Sequence, residues 1–341
     1  MSIEENPLVS VCLLCYNQER YIEATVCAML AQTYSPLEII VSDDCSTDGT
    51  WAVLQRIKEE YMGPHHLVIH RNEQNQRIIR NLCTAMNLAQ GELIVKADGD
   101  DISLPNRVEV LVSHWLKAGR EPYCMCSAYR KMDIHGNPLD HVSVPFSGID
   151  QRSIHDKVWG NGYFYLGTAS AYRKDILKHF SDVSYERACD DSVFTVRAAM
   201  LGKLYVVPDE LMLYRVGGGE TTSTSNYRKG VAKGIRYCDV SQLQLLKDVE
   251  VAKSWLAPDD YEQFKKSITA FHAHLEKILM LYEGKSFQER FAGYREGRNG
   301  LSLRRYLTLY GLIIHLLLLP PSIADRCFQI LMGMKKLLRN H

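Results

Sequence analysis

Short apolar runs alternate with segments of helical periodicity in the first part of the chain. The apolar runs predict β-strands at residues 8–14, 37–42, 66–70 and 92–97. Apolar residues at helical spacing predict helices between them, over residues 19–31, 50–61 and 78–90. Strands separated by helices of this length form right-handed βαβ units, so we expect an α/β fold with a largely parallel sheet.

Polar side chains follow three of these predicted strands. Tyr16 comes after the first strand, Asp43 and Asp44 end the second, and an aspartate cluster beginning at Asp98 ends the fourth. In parallel sheets, ligands bind beyond the carboxyl ends of the strands. The pattern therefore predicts a ligand site at one edge of the sheet.

The rest of the chain divides into regions of different character. The pattern predicts a helix over 106–118, a strand over 123–132, a loop-like stretch over 136–163, a helix opening at Asp190, and closing strands at "LYVVP" and "LMLYR". Residues 227–285 have helical periodicity and no strand signals. We therefore predict a catalytic domain over 1–225, a helical extension over 226–300 and a distinct tail over 301–341.

The tail is apolar over 14 residues, 306–319, before Pro320 and Pro321 interrupt it. A membrane-spanning helix needs about 20 such residues, so this run is too short to cross a bilayer. Residues 301–341 hold six lysines and arginines and one aspartate, a formal surplus of five positive charges. This predicts amphipathic helices in the interface of an anionic membrane. The alternative is a helix pair that packs on the catalytic domain or on a second copy of the chain.

Composition narrows the class of protein further. The 341 residues suggest about two domains, and the formal net charge of zero gives no reason to expect nucleic-acid binding. Ten cysteines without a repeated spacing indicate reduced thiols, and the acidic residues 1–10 do not match a signal peptide. We expect a cytoplasmic protein.

The cluster Asp98, Asp100 and Asp101 has several interpretations from the residues alone. It could be a solvated acidic turn. A calcium loop is disfavoured because nothing after Asp101 supplies the remaining ligands, and a phosphatase-type aspartate pair fits Ile102 poorly. The last interpretation is that the carboxylates hold Mg²⁺ or Mn²⁺, which in turn binds a diphosphate.

Three stretches of the sequence, which contain four motifs, resemble one known family. "VSVCLLCYNQERYIEATVCAMLAQTYSPLEIIVSDDCSTDGT", "GELIVKADGDDISLPNR" and "CDDSVFTVRAAMLGKLYVVPDELMLYRVGGGETTS" resemble, in order and spacing, the motifs of family 2 glycosyltransferases. The resemblance covers roughly residues 8–225. It implies a GT-A fold, a sandwich that binds nucleotide-diphospho-sugars, and a divalent metal cofactor, Mg²⁺ or Mn²⁺.

The resemblance also implies a role for each matching residue in donor binding. Tyr16 would stack on the base, Asp44 would accept the N3–H of a uracil-like base, and Asp43 would support it. Asp98 would lie near the ribose and diphosphate, and Asp100 would be the metal ligand, with Asp101 behind it. Arg80 would lie near the nucleotide.

Asp190 and Asp191 match the Glu-Asp pair of the family at a helix start. By resemblance Asp191 is the general base that takes the proton of the acceptor hydroxyl, with Asp190 as support, and one-step attack inverts the anomeric configuration. Helix capping alone would also explain two acidic residues here. One departure is Gly217, which stands where the family usually has His and leaves Arg215 or water to take that place near the metal or diphosphate.

The predicted function is a metal-dependent, inverting hexosyltransferase. It would move a sugar from a nucleotide-diphosphate donor, UDP-linked, to a saccharide or lipid-linked saccharide in cell-surface polysaccharide or glycolipid assembly, at the inner face of the cell membrane. The sequence leaves open whether the chain forms a homo-oligomer. The alternatives are a nucleotidyltransferase, although "LLCYNQERY" lacks the glycine-rich loop it needs, and an inactive sugar-nucleotide-binding module, although Asp100 and Asp191 are both present.

Overall fold

The structure is a computed structural model that describes residues 6–144, 146–159, 165–180, 183–217 and 227–283, with a few further residues between 286 and 295. The predicted domain boundary at 225 lies outside the described residues. So does the whole tail over 301–341, and the interpretation of that tail as a membrane-binding element therefore stays a prediction.

A single mixed sheet forms the centre of the described part, in the strand order β3-β2-β1-β4-β9-β6-β10-β5. The strands are β1 Val9–Cys15, β2 Leu37–Asp43, β3 His66–Arg71, β4 Leu93–Asp98, β5 Ile102–Ser103, β6 Pro122–Met132, β7 Pro138–Val142, β8 Gly148–Ile149, β9 Ser170–Arg173 and β10 Lys203–Arg215. Strands β1 to β4 pair in parallel, as do β6 and β10, and most paired residues lie in these ladders. The predicted α/β fold with a mostly parallel sheet is confirmed.

Helices cover both faces of the sheet and follow the periodicity of the sequence closely. They are α1 Ile22–Leu30, α2 Thr50–Glu60, α3 Arg77–Leu88, α4 Arg107–Lys117, α5 Ile154–Trp159, α6 Ile176–His179, α7 Asp190–Leu201, α8 Tyr227–Ala252 and α9 Pro258–Glu283. The helical character predicted for 227–285 is confirmed by α8 and α9. Within the described part of the chain, no helix is both long enough and apolar enough to cross a bilayer.

Two predictions about strands were wrong. The stretch 136–163 is not only loop, because it contains β7, β8 and α5, and the two closing strands are one continuous strand, β10. β10 shifts register near Pro208, which lacks the N–H that a regular ladder requires. The sequence analysis also missed β9, whose four residues pair antiparallel with both β4 and β6. Such a short strand is defined by its distant partners, and it carries too few residues to show a period.

Each face of the sheet has its own apolar core because successive side chains of a strand point to opposite faces. Val11 and Val95 pack against α1, α2 and α4, whereas Cys12 and Ile94 face α3 and α7. The second core also contains residues of α8 and α9, including Leu245 and Phe264 and their neighbours. The helical extension therefore packs into the same core as the helix that begins at Asp190.

Helix α8 is joined to α7 by a buried ion pair. Arg197 Nε and Nη2 lie 2.7 and 2.8 Å from the Asp248 carboxylate oxygens, and Arg197 is inaccessible to solvent. Arg197 Nη1 donates to the Phe180 carbonyl, and Gln244 Nε2 donates to Asp248. Both charges are thus matched by hydrogen bonds, as buried charges must be.

Replacement of Arg197 by Met should lower the free energy of unfolding by about 3–5 kcal/mol, because it leaves the Asp248 carboxylate buried without its cation. Chemical denaturation of the two proteins measures the difference. Arg236→Met is the matched control on α8, since Arg236 forms an exposed pair with Glu283 whose loss should cost about 0–1 kcal/mol. Equal losses for the two variants would contradict a specific contribution of the buried pair.

Candidate active site

The carboxyl ends of β1, β2 and β4 lie side by side and bring the polar residues of the sequence analysis to one edge. Cys15, the residue before Tyr16, is in register with Asp43, and Leu14 is in register with Asp98. Tyr16 itself is half-buried at the end of β1. The expected convergence at one edge of the sheet is therefore present in the fold.

Asp44 lies at the centre of a buried polar network. Its Oδ1 accepts hydrogen bonds of 2.8 Å from Asn72 Nδ2 and from the Gln76 backbone N–H, and its Oδ2 accepts one of 2.9 Å from the Arg77 N–H. Asn72 Nδ2 also donates to Asn81 Oδ1. An ionised carboxylate has roughly four lone-pair directions. Three are filled, so one direction on Oδ2 is left for a further N–H donor.

Asp43 supports this edge from below. It is fully buried, its carboxylate accepts hydrogen bonds from the Ser46 backbone N–H and hydroxyl, and Arg71 Nε lies 3.3 Å away. These contacts hold the loop that follows β2, on which Asp44 stands. The role of Asp43 as a support for donor binding stays a prediction.

Arg80 points away from the Asp44 network. Its guanidinium donates to the Val183 carbonyl at 3.3 Å and lies 3.5 Å from the Glu186 carboxylate. It therefore contacts the segment that leads into α7. The neighbouring Asn81, also on α3, joins the Asp44 network through its side chain.

The aspartate cluster after β4 divides into groups with different surroundings. Asp101 is bound on both oxygens, by the Arg215 backbone N–H and by the Thr168 hydroxyl, each at 2.8 Å. Asp100 is buried, and burial together with the neighbouring Asp98 raises the pKa of Asp100 to about 6. Asp101 thus holds the loop in place, while Asp100 bears a charge that its surroundings disfavour.

Arg215 acts mainly on backbone and ring partners. Its Nε donates to the Asp100 carbonyl at 2.7 Å, and its Nη1 donates to the Asp133 carbonyl at 3.1 Å. Its guanidinium also lies over the Tyr21 ring, 4.5 Å from the centroid. These contacts fix the Asp100 backbone and place a positive charge beside its carboxylate.

Lys96 connects the two acidic motifs of the sequence. It is 1% exposed, and its Nζ lies 2.9 and 3.0 Å from the two Asp98 oxygens and 3.0 Å from Asp190 Oδ2. Burial alone would lower the pKa of the Lys96 ammonium, but Asp190, Asp98 and Asp191 outweigh it and raise this pKa well above its usual value. The Lys96 ammonium group therefore holds the start of α7 next to the end of β4.

Asp191 begins the first turn of α7 and is partly exposed to solvent. Burial of the carboxyl group and the neighbouring charge of Asp190 raise its pKa well above the usual value, and Lys96 and a backbone hydrogen bond from Gly167 oppose the shift. Gly167 is in close contact with this carboxylate, since a Cβ atom there would stand 1.9 Å from Asp191 Oδ1. Asp191 is thus a partly exposed carboxylate whose surroundings raise its pKa, and its role as general base stays a prediction.

The charges of this region fit a divalent cation. Five carboxylates and three buried cations lie here, which gives a formal surplus of two negative charges. The carboxylates are those of Asp98, Asp100, Asp101, Asp190 and Asp191, and the cations are Lys96, Arg107 and Arg215. Within the described residues, no three acidic, cysteine or histidine side chains form a metal site by themselves. Mg²⁺ is typically held by one or two carboxylates together with substrate phosphates.

The sequence analysis did not identify Lys96 or Arg107 as part of the site. A charged residue inside the apolar run "LIVKA" was a usable signal for Lys96, because an unpaired lysine is rarely buried. Arg107 had no comparable signal. Its place depends on the packing of α4 and of the turn at Gly167–Ala169 against β4.

Comparison with known proteins gives the class. Residues 10–180 match the model of glycosyl transferase family 2. An uncharacterized glycosyltransferase of Haemophilus influenzae is 30% identical over 249 residues, 69% of this chain and 73% of that protein. The putative colanic acid biosynthesis glycosyl transferase WcaA of Escherichia coli is 27% identical over 67% of this chain and 79% of its own. The chain therefore belongs to glycosyl transferase family 2.

Solved structures show the same fold. S. aureus TarS 1–349 in complex with UDP-GlcNAc superimposes with a TM-score of 0.55 at 17% identity, over 87% of this chain and 93% of that one. Mannosyltransferase PcManGT from Pyrobaculum calidifontis, in complex with GDP-Man and Mn²⁺, gives 0.56 at 18% identity, over 99% and 89%. The fold is GT-A-like. The family match ends before Asp190 and Asp191, so the roles of these two residues, like those of the other site residues, stay predictions.

Replacement of Gly167 by Ala should lower sugar-transfer turnover by up to about 10²-fold, because the new methyl group forces the Asp191 carboxylate out of its position. The carboxylate is the free end of a side chain and can rotate, so the fold should persist. Turnover, UDP affinity and the melting temperature are measured together. Gly234→Ala on α8 is the control, since a Cβ there meets no atom within 4 Å. Unchanged turnover in Gly167→Ala would argue against the assignment of Asp191.

Proposed function

We propose that the protein is an inverting, metal-dependent glycosyltransferase that uses a UDP-sugar and takes Asp191 as its general base. The observation that carries this proposal is the position of Asp191: a partly exposed carboxylate of raised pKa, joined through Asp190 and Lys96 to the aspartate cluster after β4. The proposal accounts for both acidic motifs with one reaction.

The donor would lie along the carboxyl edge of the sheet. Tyr16 at the end of β1 would stack on the base, and Asp44 Oδ2, which accepts one hydrogen bond from the described residues, would accept the N3–H of uracil. The structure of TarS in complex with UDP-GlcNAc supports a uridine donor. Asp98 follows on the diphosphate side.

Asp100, with the diphosphate oxygens of the donor, would hold Mg²⁺ or Mn²⁺ in this proposal. The bound cation would stabilise the negative charge that grows on the departing diphosphate. The Mn²⁺ in the PcManGT complex supports a divalent ion for this fold. In this chain, the formal surplus of two negative charges around Asp100 would balance the charge of such an ion.

The chemical step then has a clear assignment for the residues of the chain. The acceptor oxygen attacks the anomeric carbon while its proton passes to a carboxylate oxygen of Asp191. The bond between that carbon and the diphosphate oxygen breaks, and the nucleoside diphosphate leaves with the electron pair. A single displacement from the opposite face inverts the anomeric configuration.

The acceptor in this proposal is a saccharide or lipid-linked saccharide of a cell-surface polysaccharide. The similarity to WcaA, a putative colanic acid biosynthesis glycosyl transferase, supports this class of product. A panel of UDP-glucose, UDP-N-acetylglucosamine and GDP-mannose, incubated with Mn²⁺ and assayed for release of the nucleoside diphosphate, tests the function directly. Release of pyrophosphate from a nucleoside triphosphate would instead favour a nucleotidyltransferase, and binding without turnover would favour an inactive module.

Replacement of Asp100 by Asn should remove the effect of Mn²⁺ on UDP binding, because the amide cannot supply the negative charge that a hard cation requires. Titration calorimetry with and without Mn²⁺ measures this. Asp140→Asn, which changes an exposed carboxylate on β7, is the control and should keep the effect. If Mn²⁺ strengthens UDP binding equally in Asp100→Asn, the metal is held elsewhere.

Replacement of Asp191 by Asn should lower turnover by about 10²–10⁴-fold with nearly constant UDP affinity, because the amide cannot accept the proton. Asp190→Asn should cost less and should change the pH profile. The base works only when deprotonated, so turnover falls as the pH drops through its pKa. Since the charge of Asp190 raises that pKa, its removal should move the acid limb to lower pH.

The measurement is turnover against pH for the wild type and both variants, with the product configuration read by NMR. Equal losses in the two variants would leave Asp191 unassigned as the base. A product with the anomeric configuration of the donor would exclude the single displacement.

A further inference from the structure

Lys96 occupies an unusual position for a lysine. It lies on the same face of β4 as Asp98, because side chains two residues apart on a strand point the same way. That face is the one covered by α7, so the ammonium group stands under the start of this helix. A single buried nitrogen atom thus contacts the end of a central strand and the first residue of α7.

The ammonium group of Lys96 contacts two carboxylates. Nζ donates hydrogen bonds to both oxygens of Asp98, at 2.9 and 3.0 Å, and forms an ion pair with Asp190, whose Oδ2 lies 3.0 Å away. Asp98 belongs to the proposed donor side, and Asp190 precedes the proposed base. Lys96 therefore contacts carboxylates on both sides of the proposed reaction centre.

The backbone of Lys96 is fixed as firmly as its side chain. Arg107 Nη2 donates to the Lys96 carbonyl at 2.8 Å and to the Thr168 carbonyl at 2.6 Å. Thr168 is next to Gly167, which packs against the Asp191 carboxylate. Two cations, one on each side of β4, thus tie the strand to α7 and to the turn that Asp191 contacts.

We propose that Lys96 is a positioning residue for sugar transfer, and that its bridge between Asp98 and Asp190 sets the place of Asp191 relative to the donor. The inference rests on the proposed function, because it takes Asp191 as the base. Lys96 does not touch the substrate in this proposal. It acts through Asp190, whose place at the start of α7 determines where the next residue projects.

The expected effect follows from geometry. A displacement of about 1 Å at a catalytic group can cost about 10²-fold in rate. Loss of the bridge frees the first turn of α7, whereas the Asp44 network and Asp100 keep their own partners. We therefore expect a loss in kcat with little change in donor affinity.

The experiment is a double-variant cycle on full-length protein with Lys96→Met, Asp191→Asn and the combined variant. Turnover is the release of UDP from the UDP-sugar that the panel identifies, and affinity is the Kd of UDP with Mn²⁺. Lys96→Met should lower kcat by about 10–100-fold with Kd within about threefold. In the Asp191→Asn background, Lys96→Met should cause no further loss, since the group that it positions is already disabled.

Lys174→Met is the matched control. Lys174 is also partly buried, but its Nζ donates to the Ala89 carbonyl and bridges no acidic pair, so wild-type kcat is expected. If Lys96→Met does not fold, Lys96→Arg takes its place in the cycle. Arg keeps the charge but presents a rigid fork in place of the single Nζ, so the same split between kcat and Kd is expected.

Each remaining outcome overturns the inference in a different way. A further loss of kcat in the combined variant means that Lys96 acts on the reaction without Asp191. A parallel loss of kcat and UDP affinity means that it only supports the fold, and wild-type kcat means that the bridge is dispensable. If the wild type releases no nucleoside diphosphate from any sugar nucleotide, the proposed function itself fails. If the wild type turns over and Lys96→Met matches it, only the inference fails.

Discussion

The gathering of five carboxylates at one edge of the sheet is the constraint on which the rest of this structure depends. Two unit charges 4 Å apart repel by roughly 4 kcal/mol at the effective dielectric of a protein surface. Lys96, Arg107 and Arg215 offset much of this repulsion, and each also binds the chain through carboxylates or backbone carbonyls. The cations that offset the repulsion therefore also fix the shape of the cluster, and the remaining negative charge is what the divalent cation of the proposed function would balance.

The helices after the family-matched region contribute to this arrangement. Gln244 Oε1 on α8 accepts hydrogen bonds from the Ser184 and Tyr185 backbone N–H groups, and Ser241 Oγ accepts one from the Cys189 N–H. These bonds hold the segment that enters α7 at Asp190. The helical extension is thus a support for the helix that carries the proposed base, beyond its share of the apolar core.

The two ends of the candidate site differ in their electrostatic surroundings. In the Asp44 network, neutral amide and backbone N–H groups donate to one buried carboxylate. The aspartate cluster keeps an excess of like charge, and burial raises the pKa values of Asp98, Asp100 and Asp101. The end proposed to bind the base is thus formed by hydrogen bonds within the chain, whereas the end proposed to bind the diphosphate keeps an excess of negative charge.

The sequence by itself determined the alternation of β1 to β4 with their helices, the helical character of α8 and α9, and the edge at which Tyr16, Asp44 and Asp98 meet. These follow from local periodicity and from the general rule that parallel strands end on one side. Only the tertiary structure decided that Arg80 turns to Val183 and Glu186, that β9 enters between β4 and β6, and that Lys96 bridges Asp98 and Asp190. Such features join residues far apart in the chain. Long-range pairing of this kind is set by packing and charge balance, which local sequence patterns do not determine.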